Sequence, residues 1–221
     1  MPWRLIDASF ADRFDAGREL ATRLAKYRGQ KDRVVLALPR GGVPVGYEVA
    51  TRLRLPLDVF IVRKLGVPGY EELAMGALAS GGVCVLNEDL LAQLPHAKQL
   101  VEKVAAVERE EIERREREYR DGRPPRVLDG CTVLLVDDGV ATGATMKAAV
   151  KALRRQNVAK IVVAVPVGAP QTCAELREEA DETVCILEPE SFYAVGQYYR
   201  DFSQITDEEV REFLAAAAQG M

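Results

Sequence analysis

Two adjacent carboxylates, followed by small and hydroxyl residues, form the part of this sequence best suited to chemistry. They lie in the stretch VLLVDDGVATGATM, residues 133–146. The four apolar residues before them are typical of a buried strand, so Asp137 and Asp138 should emerge where that strand ends. Paired carboxylates accept hydrogen bonds from a vicinal diol, such as that of a ribose. The loop amides, the hydroxyls of Thr142 and Thr145 and the start of a helix suit a phosphate.

The stretch therefore predicts a site for a ribose 5-phosphate, and other interpretations fit it less well. Asp138 and Gly139 form a sequence common in hairpin turns, but a helical pattern follows them instead of a second strand. A Walker A loop and a dinucleotide fingerprint need glycine patterns that are missing here. Metal binding by the two acids alone stays open. The predicted ribose and phosphate residues are Asp137, Asp138, Gly139, Val140, Ala141, Thr142, Gly143, Ala144 and Thr145.

The composition excludes several other classes of protein. The chain has 221 residues, 48% of them hydrophobic and 29% charged, and a net charge of −4, which gives no indication of a nucleic-acid or anionic-membrane partner. His96 is the only histidine and lies far from the motif, which argues against Ser-His-Asp and Cys-His mechanisms. The four cysteines lack zinc-site spacing, and we expect reduced thiols. With no signal peptide or membrane-length apolar run, we expect a cytoplasmic protein.

Apolar segments of strand length alternate along the chain with amphipathic segments of helix length. This pattern predicts an α/β fold with a mainly parallel sheet and helices on both of its faces. Helices are expected over about 10–27, with Ser9 and Asp12 as a capping box, and near 146–155 and 172–180. The expected strands are Val34–Leu38, Leu57–Val62, 133–136, Ile161–Val167 and Thr183–Leu187, with further candidates at MGALA and GVCVL.

In its order of residues, VLLVDDGVATGATM resembles the phosphoribosyl-pyrophosphate motif of type I phosphoribosyltransferases. The likeness is strongest to a poorly characterised bacterial branch of predicted phosphoribosyltransferases, whose members carry segments similar to FADRFDAGRELA, LPRGGVPVG, ELAMGA and VDDGVATGAT. The resemblance implies transfer of ribose 5-phosphate from phosphoribosyl pyrophosphate to a nitrogenous base, with Mg²⁺ and loss of pyrophosphate. The magnesium would be held through the ligand, near Asp137 or Asp138.

Cations and glycines at other predicted strand ends suit the departing pyrophosphate. Arg40, Gly41 and Gly42 resemble the family's pyrophosphate loop, although a plain strand-to-helix turn gives the same pattern. Arg63 and Lys64 follow the predicted strand Leu57–Val62 and resemble a basic pair that contacts pyrophosphate; a solvated strand end is the alternative. Lys64, Arg63 and Asp138 are the expected catalytic residues.

Two further segments have less definite roles in the sequence. LGVPGYEELAMGALASGG resembles the family's mobile catalytic loop, in which Gly66, Pro68 and Gly69 make a regular element unexpected. Nothing singles out one loop residue for the site, and the candidates are Tyr70, Glu71 and Glu72. The segment 102–120 has Glu and Arg at i,i+4 spacing and predicts a solvated, projecting helix, with a partner or homodimer surface as the alternative.

The C-terminal segment EPESFYAVGQYYRDFSQ resembles the hood of purine-type members, which stacks an aromatic ring on the base. Phe192 or Tyr193 would be that platform, with Val195 and Gly196 beside it; an aromatic core cluster is the alternative. Members that act on 6-oxopurines carry an acid where this chain has Ala141, which argues against hypoxanthine and guanine.

We expect one domain over 1–221, with a core of about 30–188, an inserted helical segment of about 88–122 and a hood of about 188–205. The expected partners are phosphoribosyl pyrophosphate and a small nitrogenous base, without nucleic acid or membrane. The alternative function is a non-catalytic sensor or regulator of the same fold that binds phosphoribosyl pyrophosphate or a nucleotide. A basic face would be the mark of a regulator that binds nucleic acid.

Overall fold

The computed structural model describes residues 10–219, which form eight strands and seven α-helices. The strands are β1 (Arg33–Ala37), β2 (Leu57–Val59), β3 (Val62–Val67), β4 (Tyr70–Ala79), β5 (Val83–Leu86), β6 (Thr132–Val136), β7 (Lys160–Val167) and β8 (Glu182–Leu187). The helices are α1 (Arg13–Arg23), α2 (Gly42–Leu53), α3 (Glu88–Leu91), α4 (Ala97–Arg120), α5 (Ala144–Arg154), α6 (Pro170–Glu179) and α7 (Asp207–Gln219).

Five of the strands form a parallel sheet in the order β2-β1-β6-β7-β8. Its three central strands are almost wholly buried, because apolar clusters cover both faces. Residues of α1 and α2, such as Leu20 and Val49, lie in the cluster on one face, and residues of α5 and α6, such as Val150 and Leu176, lie in the cluster on the other. The predicted α/β fold class is confirmed, and the expected strands agree with β1, β6, β7 and β8 within one residue at each end, whereas the expected strand Leu57–Val62 ends at Val59 as β2.

The first helix begins later than expected. Its N-cap is Asp12, whose carboxylate accepts a hydrogen bond from the amide of Asp15 at 2.7 Å. The expected start near residue 10 is therefore wrong, while Ser9 of the predicted capping box lies outside the described residues. A short 3₁₀ turn over Ala25–Tyr27 follows the helix, so the last predicted turn is helical but not α-helical.

The chain after Leu57 was expected to form the strand Leu57–Val62, a loop, and candidate strands at MGALA and GVCVL. The two candidate strands are present, within β4 and as β5, but the expected strand ends at a bend and the expected loop contains β3 and the start of β4, so that a three-stranded antiparallel sheet results. The chain leaves the parallel sheet after β2, at Phe60 and Ile61, and β3 pairs with β4, which pairs with β5. Pro68 and Gly69 form the turn of the hairpin; Gly69 has φ of +83°, a value that suits the third position of a type II turn. The expectation that no regular element begins here is therefore wrong.

Helix α4 does not project from the molecule. Ala105, Ile112 and Tyr119, at seven-residue spacing, are buried where the helix packs between the hairpin and α7. At its end Arg120 forms a buried ion pair with Asp58, whose Oδ1 lies 2.8 Å from Nε. The expectation of a projecting helix is wrong because these contacts come from segments distant in sequence.

Helix α7 was not expected from the sequence. A capping box precedes it: the Thr206 hydroxyl accepts from the amide of Glu209, and the Glu209 carboxylate accepts from the amide of Thr206. This Thr-x-x-Glu pattern is a helix-start signal that would have located it. Within residues 10–219, no helix combines the length and apolar character needed to cross a membrane.

Candidate functional site

The loops that leave β1, β6 and β7 meet at the carboxyl edge of the parallel sheet. This follows from the strand order, because β6 lies between β1 and β7 and all three run the same way. The edge therefore brings together residues 38–42, residues 137–143 and Gly168. Parallel sheets commonly bind ligands at this edge, where loops give backbone groups without sheet partners.

Two glycines let the loop after β1 contact the two acids after β6. A Cβ atom on Gly41 would lie 2.0 Å from Asp138 Oδ2, and one on Gly42 would lie 2.9 Å from the Asp137 Cα atom and 3.0 Å from its Oδ1. A side chain at Gly42 would push the two backbones apart, and one at Gly41 would displace the Asp138 carboxylate. The predicted pyrophosphate glycines and the predicted ribose acids therefore lie in direct contact.

The two acids share an environment that disfavours their charge. Burial raises the pKa of Asp137 well above its usual value, and the neighbouring Asp138 charge raises it further. The Asp137 carboxylate accepts a hydrogen bond from the amide of Asp138 at 2.9 Å. Burial also raises the pKa of Asp138, while Arg13 acts in the opposite direction. Hydroxyl donors or a cation bound here would relieve this unfavourable charge.

Arg13, from the first turn of α1, binds Asp138 and is itself buried. Its Nε donates to Asp138 Oδ2 at 2.8 Å, and its Nη1 donates to the carbonyl of Ser203 at 2.8 Å. The guanidinium lies 3.8 Å from the centre of the Phe202 ring. On the other side, the hydroxyl of Tyr199 donates to the Asp138 carbonyl at 2.6 Å. These contacts hold the second acid of the pair in one position.

The loop between the acids and α5 is shaped by close packing. A Cβ on Gly139 would lie 2.6 Å from a methyl group of Val195, and one on Gly143 would lie 2.5 Å from Cγ2 of Thr172. Gly143 has φ of +70° and is the N-cap residue of α5. Because glycine has no side chain to cap the helix, the first amides of α5 are left for an external acceptor. Thr142 and Thr145 are exposed at this end.

Val140 and Ala141 are tied to the neighbouring strand end. The amide of Val140 donates to the carbonyl of Val167 at 2.9 Å, and the amide of Ala169 donates back to Val140 at 3.0 Å. The Thr172 hydroxyl donates to the carbonyl of Ala141. The loop therefore rests on β7 and α6 rather than on its own side chains.

Arg40 lies at the same edge but points toward the C-terminal helix. Its guanidinium is 3.9 Å from the carboxylate of Asp207, and both side chains are 37% exposed. The hydroxyl of the buried Tyr119 donates to the same carboxylate. A polyanion at the edge would therefore compete with Asp207 for Arg40.

The side chains of Arg63 and Lys64 do not face the same part of the molecule. Both lie within β3, where successive side chains point to opposite faces. Arg63 forms an ion pair with Glu108 of α4, with 2.6 Å between Nε and Oε2. Lys64 lines a cavity of about 470 Å³ beside Ala144 and Thr145, at the start of α5. Lys64 is therefore the member of the pair that shares a cavity with the start of α5.

The candidate loop residues Tyr70, Glu71 and Glu72 lie at the start of β4, beyond the hairpin turn. The Tyr70 side chain is 74% exposed. The Glu71 carboxylate accepts from the amide of Gly69 at 3.1 Å, which stabilises the turn. This contact gives Glu71 a role within the hairpin.

The predicted base-binding residues have three different surroundings. Phe192 is half-buried and stacks on Tyr198, with ring centres 5.7 Å apart. Tyr193 is 78% exposed. Val195 contacts the acid-containing loop at Gly139, as the close approach described above requires. Of the three, Val195 is the residue adjacent to the two acids.

Several residues of the site were not found from the sequence: Arg13, Thr172, Tyr199 and Asp207. Arg13 offered a signal, because a cation in the first turn of a helix is unfavourable next to the helix dipole and needs an acidic partner. Thr172, Tyr199 and Asp207 come from segments far along the chain and have no comparable local signal.

Comparison with known proteins gives the same assignment at the level of the family. A family model described as "Phosphoribosyl transferase domain" matches residues 9–203. Two Mycobacterium tuberculosis proteins, from strains CDC 1551 and H37Rv, carry the name "Putative phosphoribosyl transferase" and are 49% identical over 208 residues. These residues are 94% of this chain and 47% of each relative, so the chain spans about half the length of these relatives.

Solved structures agree with the fold. The crystal structure of TT1426 from Thermus thermophilus is 44% identical with a TM-score of 0.83, and the match covers 94% of this chain and 98% of that one. A hypothetical protein from Neisseria gonorrhoeae, solved with bound ppGpp, has a TM-score of 0.51 at 15% identity, and the match covers 92% of both chains. The second likeness concerns the fold alone.

Proposed function

This chain belongs to the phosphoribosyl transferase domain family, and we propose that it transfers ribose 5-phosphate from phosphoribosyl pyrophosphate to a nitrogenous base. The observation that carries the proposal is the contact of Asp137 and Asp138 with Gly41 and Gly42 beside the uncapped start of α5. One edge thus offers acceptors for a diol next to donors for a phosphate and a pyrophosphate.

The sugar half of the ligand would lie along the loop after β6. The carboxylates of Asp137 and Asp138 would accept hydrogen bonds from the ribose hydroxyls, and the amides over 141–145 would bind the 5-phosphate. The exposed hydroxyls of Thr142 and Thr145 support this assignment. Gly139, Gly143 and Ala144 would contribute only backbone, and Val140, whose amide and carbonyl bond to Val167 and Ala169, would hold the loop in place.

Pyrophosphate would lie between Arg40 and Lys64. Gly41 and Gly42 approach the acid pair without side chains in the way, and Arg40 precedes them in the same loop. Lys64 approaches from the hairpin, in the cavity that also contains Thr145. We assign Lys64 rather than Arg63 to the leaving group, because Lys64 lines the cavity beside Thr145, whereas Arg63 is the next residue of the same strand and faces the other way.

The acid pair also fits Mg²⁺. Carboxylate oxygens together with phosphate oxygens are the donors that this ion prefers, and the raised pKa values of Asp137 and Asp138 mark two acids that a cation would stabilise. Bound with the ligand, the ion would neutralise pyrophosphate charge. Arg13 leaves Oδ1 of Asp138 for ligand groups, since its contact is with Oδ2.

The reaction needs stabilisation of charge rather than a side-chain nucleophile. As the bond from the anomeric carbon to pyrophosphate breaks, negative charge grows on the leaving oxygen and positive charge on the sugar. Lys64 would stabilise the first, and the Asp138 carboxylate, fixed by Arg13, would lie near the second. The base would enter beside Val195, with Phe192 or Tyr193 as its platform.

A sensor that binds phosphoribosyl pyrophosphate or a nucleotide without reaction is the second candidate. One observation favours it: two residues of the site are held by other protein groups, Asp138 by Arg13 and Arg40 by Asp207. If these contacts persist with ligand bound, Arg40 contributes less to the departure of pyrophosphate.

The test is a screen of nucleobases with phosphoribosyl pyrophosphate and Mg²⁺, scored by pyrophosphate release, alongside thermal unfolding with the same ligand. We expect one base class to release pyrophosphate and the ligand to raise the Tm, since a ligand at a hundredfold excess over its Kd stabilises the fold by about 2.7 kcal/mol. A raised Tm without turnover of any base would favour the sensor. No rise at millimolar ligand would contradict both functions.

A further inference from the structure

Two thiols lie together beneath the loop that carries the acid pair. Cys173 is in the first turn of α6 and Cys185 is in β8. Their sulfur atoms and a carboxylate oxygen of Glu188 all lie within 4.8 Å of one another. Cys173 is fully buried, and Cys185 is half-buried. The pair is therefore in contact and is reached from outside through Cys185.

The thiols touch the backbone that supports residues 139–145, which we call the phosphate loop because they would bind the 5-phosphate in the proposed function. A Cβ atom on Gly168 would lie 2.4 Å from the sulfur of Cys173 and 3.4 Å from that of Cys185. Gly168 is bridged to Val140, which follows the acid pair. Thr172, next to Cys173 in sequence, donates its hydroxyl to the Ala141 carbonyl. A change in the position of Cys173 would therefore act on the loop through two connections.

The surroundings favour sulfur chemistry over metal binding. Glu188, the third group of the cluster, already forms an ion pair with Arg177. That guanidinium beside the thiols would repel a cation, whereas positive charge favours a thiolate. A hydrogen bond from the Cys185 thiol lowers the pKa of Cys173, although burial opposes this. These conditions suit a nucleophilic thiolate next to a second sulfur.

We propose that Cys173 and Cys185 form a reversible disulfide when a hydroperoxide reaches Cys185, and that this bond displaces the phosphate loop. The Cys173 thiolate attacks an oxygen of the peroxide that has reached Cys185, forms a sulfenic acid and releases hydroxide or alkoxide, which takes a proton from water and leaves as water or an alcohol. The Cys185 thiol then attacks the Cys173 sulfur, which forms the S–S bond and expels the hydroxyl as water with the Cys185 proton. The two thiols are oxidised and the peroxide is reduced.

The displacement follows from the length of the bond. A disulfide holds its sulfur atoms about 2.05 Å apart, so the sulfur of Cys173 must occupy a new position against Gly168. Close-packed interiors transmit such shifts instead of absorbing them. The first turn of α6 carries Thr172, so its hydrogen bond to Ala141 is the contact expected to change.

The bond can be detected without any ligand. Trypsin cuts after Arg177, which separates Cys173 in the peptide 161–177 from Cys185 in the peptide 178–200. After treatment with hydrogen peroxide we expect these two peptides to be linked, and a dithiol to release them. Cys185→Ala should abolish the link, while Cys131→Ala, which removes a half-buried thiol at the opposite end of the sheet, should leave it. Sulfinic acid at Cys173 without the link, or one zinc ion per chain bound by the reduced pair, would overturn the proposal.

The effect on the loop is read by amide hydrogen exchange over 139–145. We expect faster exchange in the oxidised protein and recovery after reduction, with no such change in Cys185→Ala or Cys173→Ala. If either variant fails to fold, the other together with the wild-type reduction cycle gives the same comparison. Unchanged exchange in fully linked protein would overturn the displacement.

A third measurement, the affinity for ribose 5-phosphate, rests on the proposed function. We expect oxidised protein to bind ribose 5-phosphate at least about threefold more weakly than reduced protein. Failure of both forms to bind would contradict the proposed function alone, because the link and the exchange rates do not depend on ligand. Equal affinity of both forms would overturn the displacement.

Discussion

The loop after β6 and the strand β3 each carry two charged residues that are adjacent in sequence, but they place them differently. Asp137 and Asp138 approach the same pair of glycines, because a loop can turn both side chains toward one point. Arg63 and Lys64 lie in a strand, so they face opposite ways: Arg63 reaches α4 and Lys64 reaches the cavity beside α5. The side chains of two adjacent residues can face the same site only where the backbone departs from the alternating pattern of a strand.

The two regions also differ in what fixes them. The acid pair is held by contacts from α1, the glycine loop and the C-terminal segment, all of them at one sheet edge. The residues of β3 are fixed by the hairpin and by α4, which pack beside that edge. Substitutions at the acid pair should therefore change both the stability of the fold and ligand binding. A substitution in β3 should change one of these properties without the other.

The largest effect is expected for Arg13→Met, which removes the cation that holds Asp138. Breaking a buried ion pair costs about 3–5 kcal/mol of unfolding free energy, because the remaining charge is left without a partner. Arg18→Met on the same helix is the matched control; its ion pairs with Asp15 and Glu48 are more exposed, so a loss of about 0–1 kcal/mol is expected. Urea denaturation measures both. Equal losses would mean that Arg13 does not stabilise the acid pair.

The next effect concerns ligand binding by the loop after the acids. Thr142→Val removes an exposed hydroxyl, and ribose 5-phosphate should bind more weakly by roughly 1.5–3 kcal/mol, the scale of a hydrogen bond to a charged group. Calorimetric titration measures the affinity, and Thr51→Val on the exposed side of α2 is the control. An unchanged affinity would place the phosphate elsewhere.

How much the sequence could predict follows from the range of the interactions involved. The strand 133–136, the acids and the start of α5 form within about twenty residues, so local pattern is enough to locate them. The pairing of β3 with β4 also depends on nearby residues, but Gly66, Pro68 and Gly69 are residue types that commonly break regular structure. Here they instead form a tight turn and the bulge next to it.

Contacts between distant segments could not be predicted in the same way. Arg13 meets Asp138 across 125 residues, and Tyr119 meets Asp207 across 88 residues. No local periodicity encodes such pairs, because they depend on how helices pack around the completed sheet. For the same reason the sequence predicts a projecting α4: the segments that cover its buried side lie outside its own sequence.

Lys64→Ala tests the role proposed for β3, the strand that was compared above with the loop after β6. We expect the turnover number to fall by at least about tenfold, or about 1.4 kcal/mol of barrier, with a smaller loss of affinity for phosphoribosyl pyrophosphate. The reason is that charge on the leaving group is greater in the transition state than in the bound ligand. Lys151→Ala removes another cation that lines the same cavity and is the control. Equal losses from both variants would indicate a general effect of charge and not a role for Lys64.

The smallest effect is expected for Arg63→Gln, one residue away on the opposite face of β3. Its ion pair with Glu108 is partly exposed, with 36% and 19% of the two side chains accessible, so its loss should cost about 0–1 kcal/mol of unfolding free energy. Turnover should change by less than about twofold, because Arg63 faces away from the cavity that Lys64 lines. A twofold change corresponds to less than about 0.5 kcal/mol of barrier. Steady-state kinetics of the two variants, Arg63→Gln and Lys64→Ala, measured in parallel, give this comparison. If Arg63→Gln instead loses turnover as strongly as Lys64→Ala, both cations must reach the ligand at once. They can do so only if β3 leaves its strand geometry during the reaction, and the hairpin would then be a moving part of the site after all.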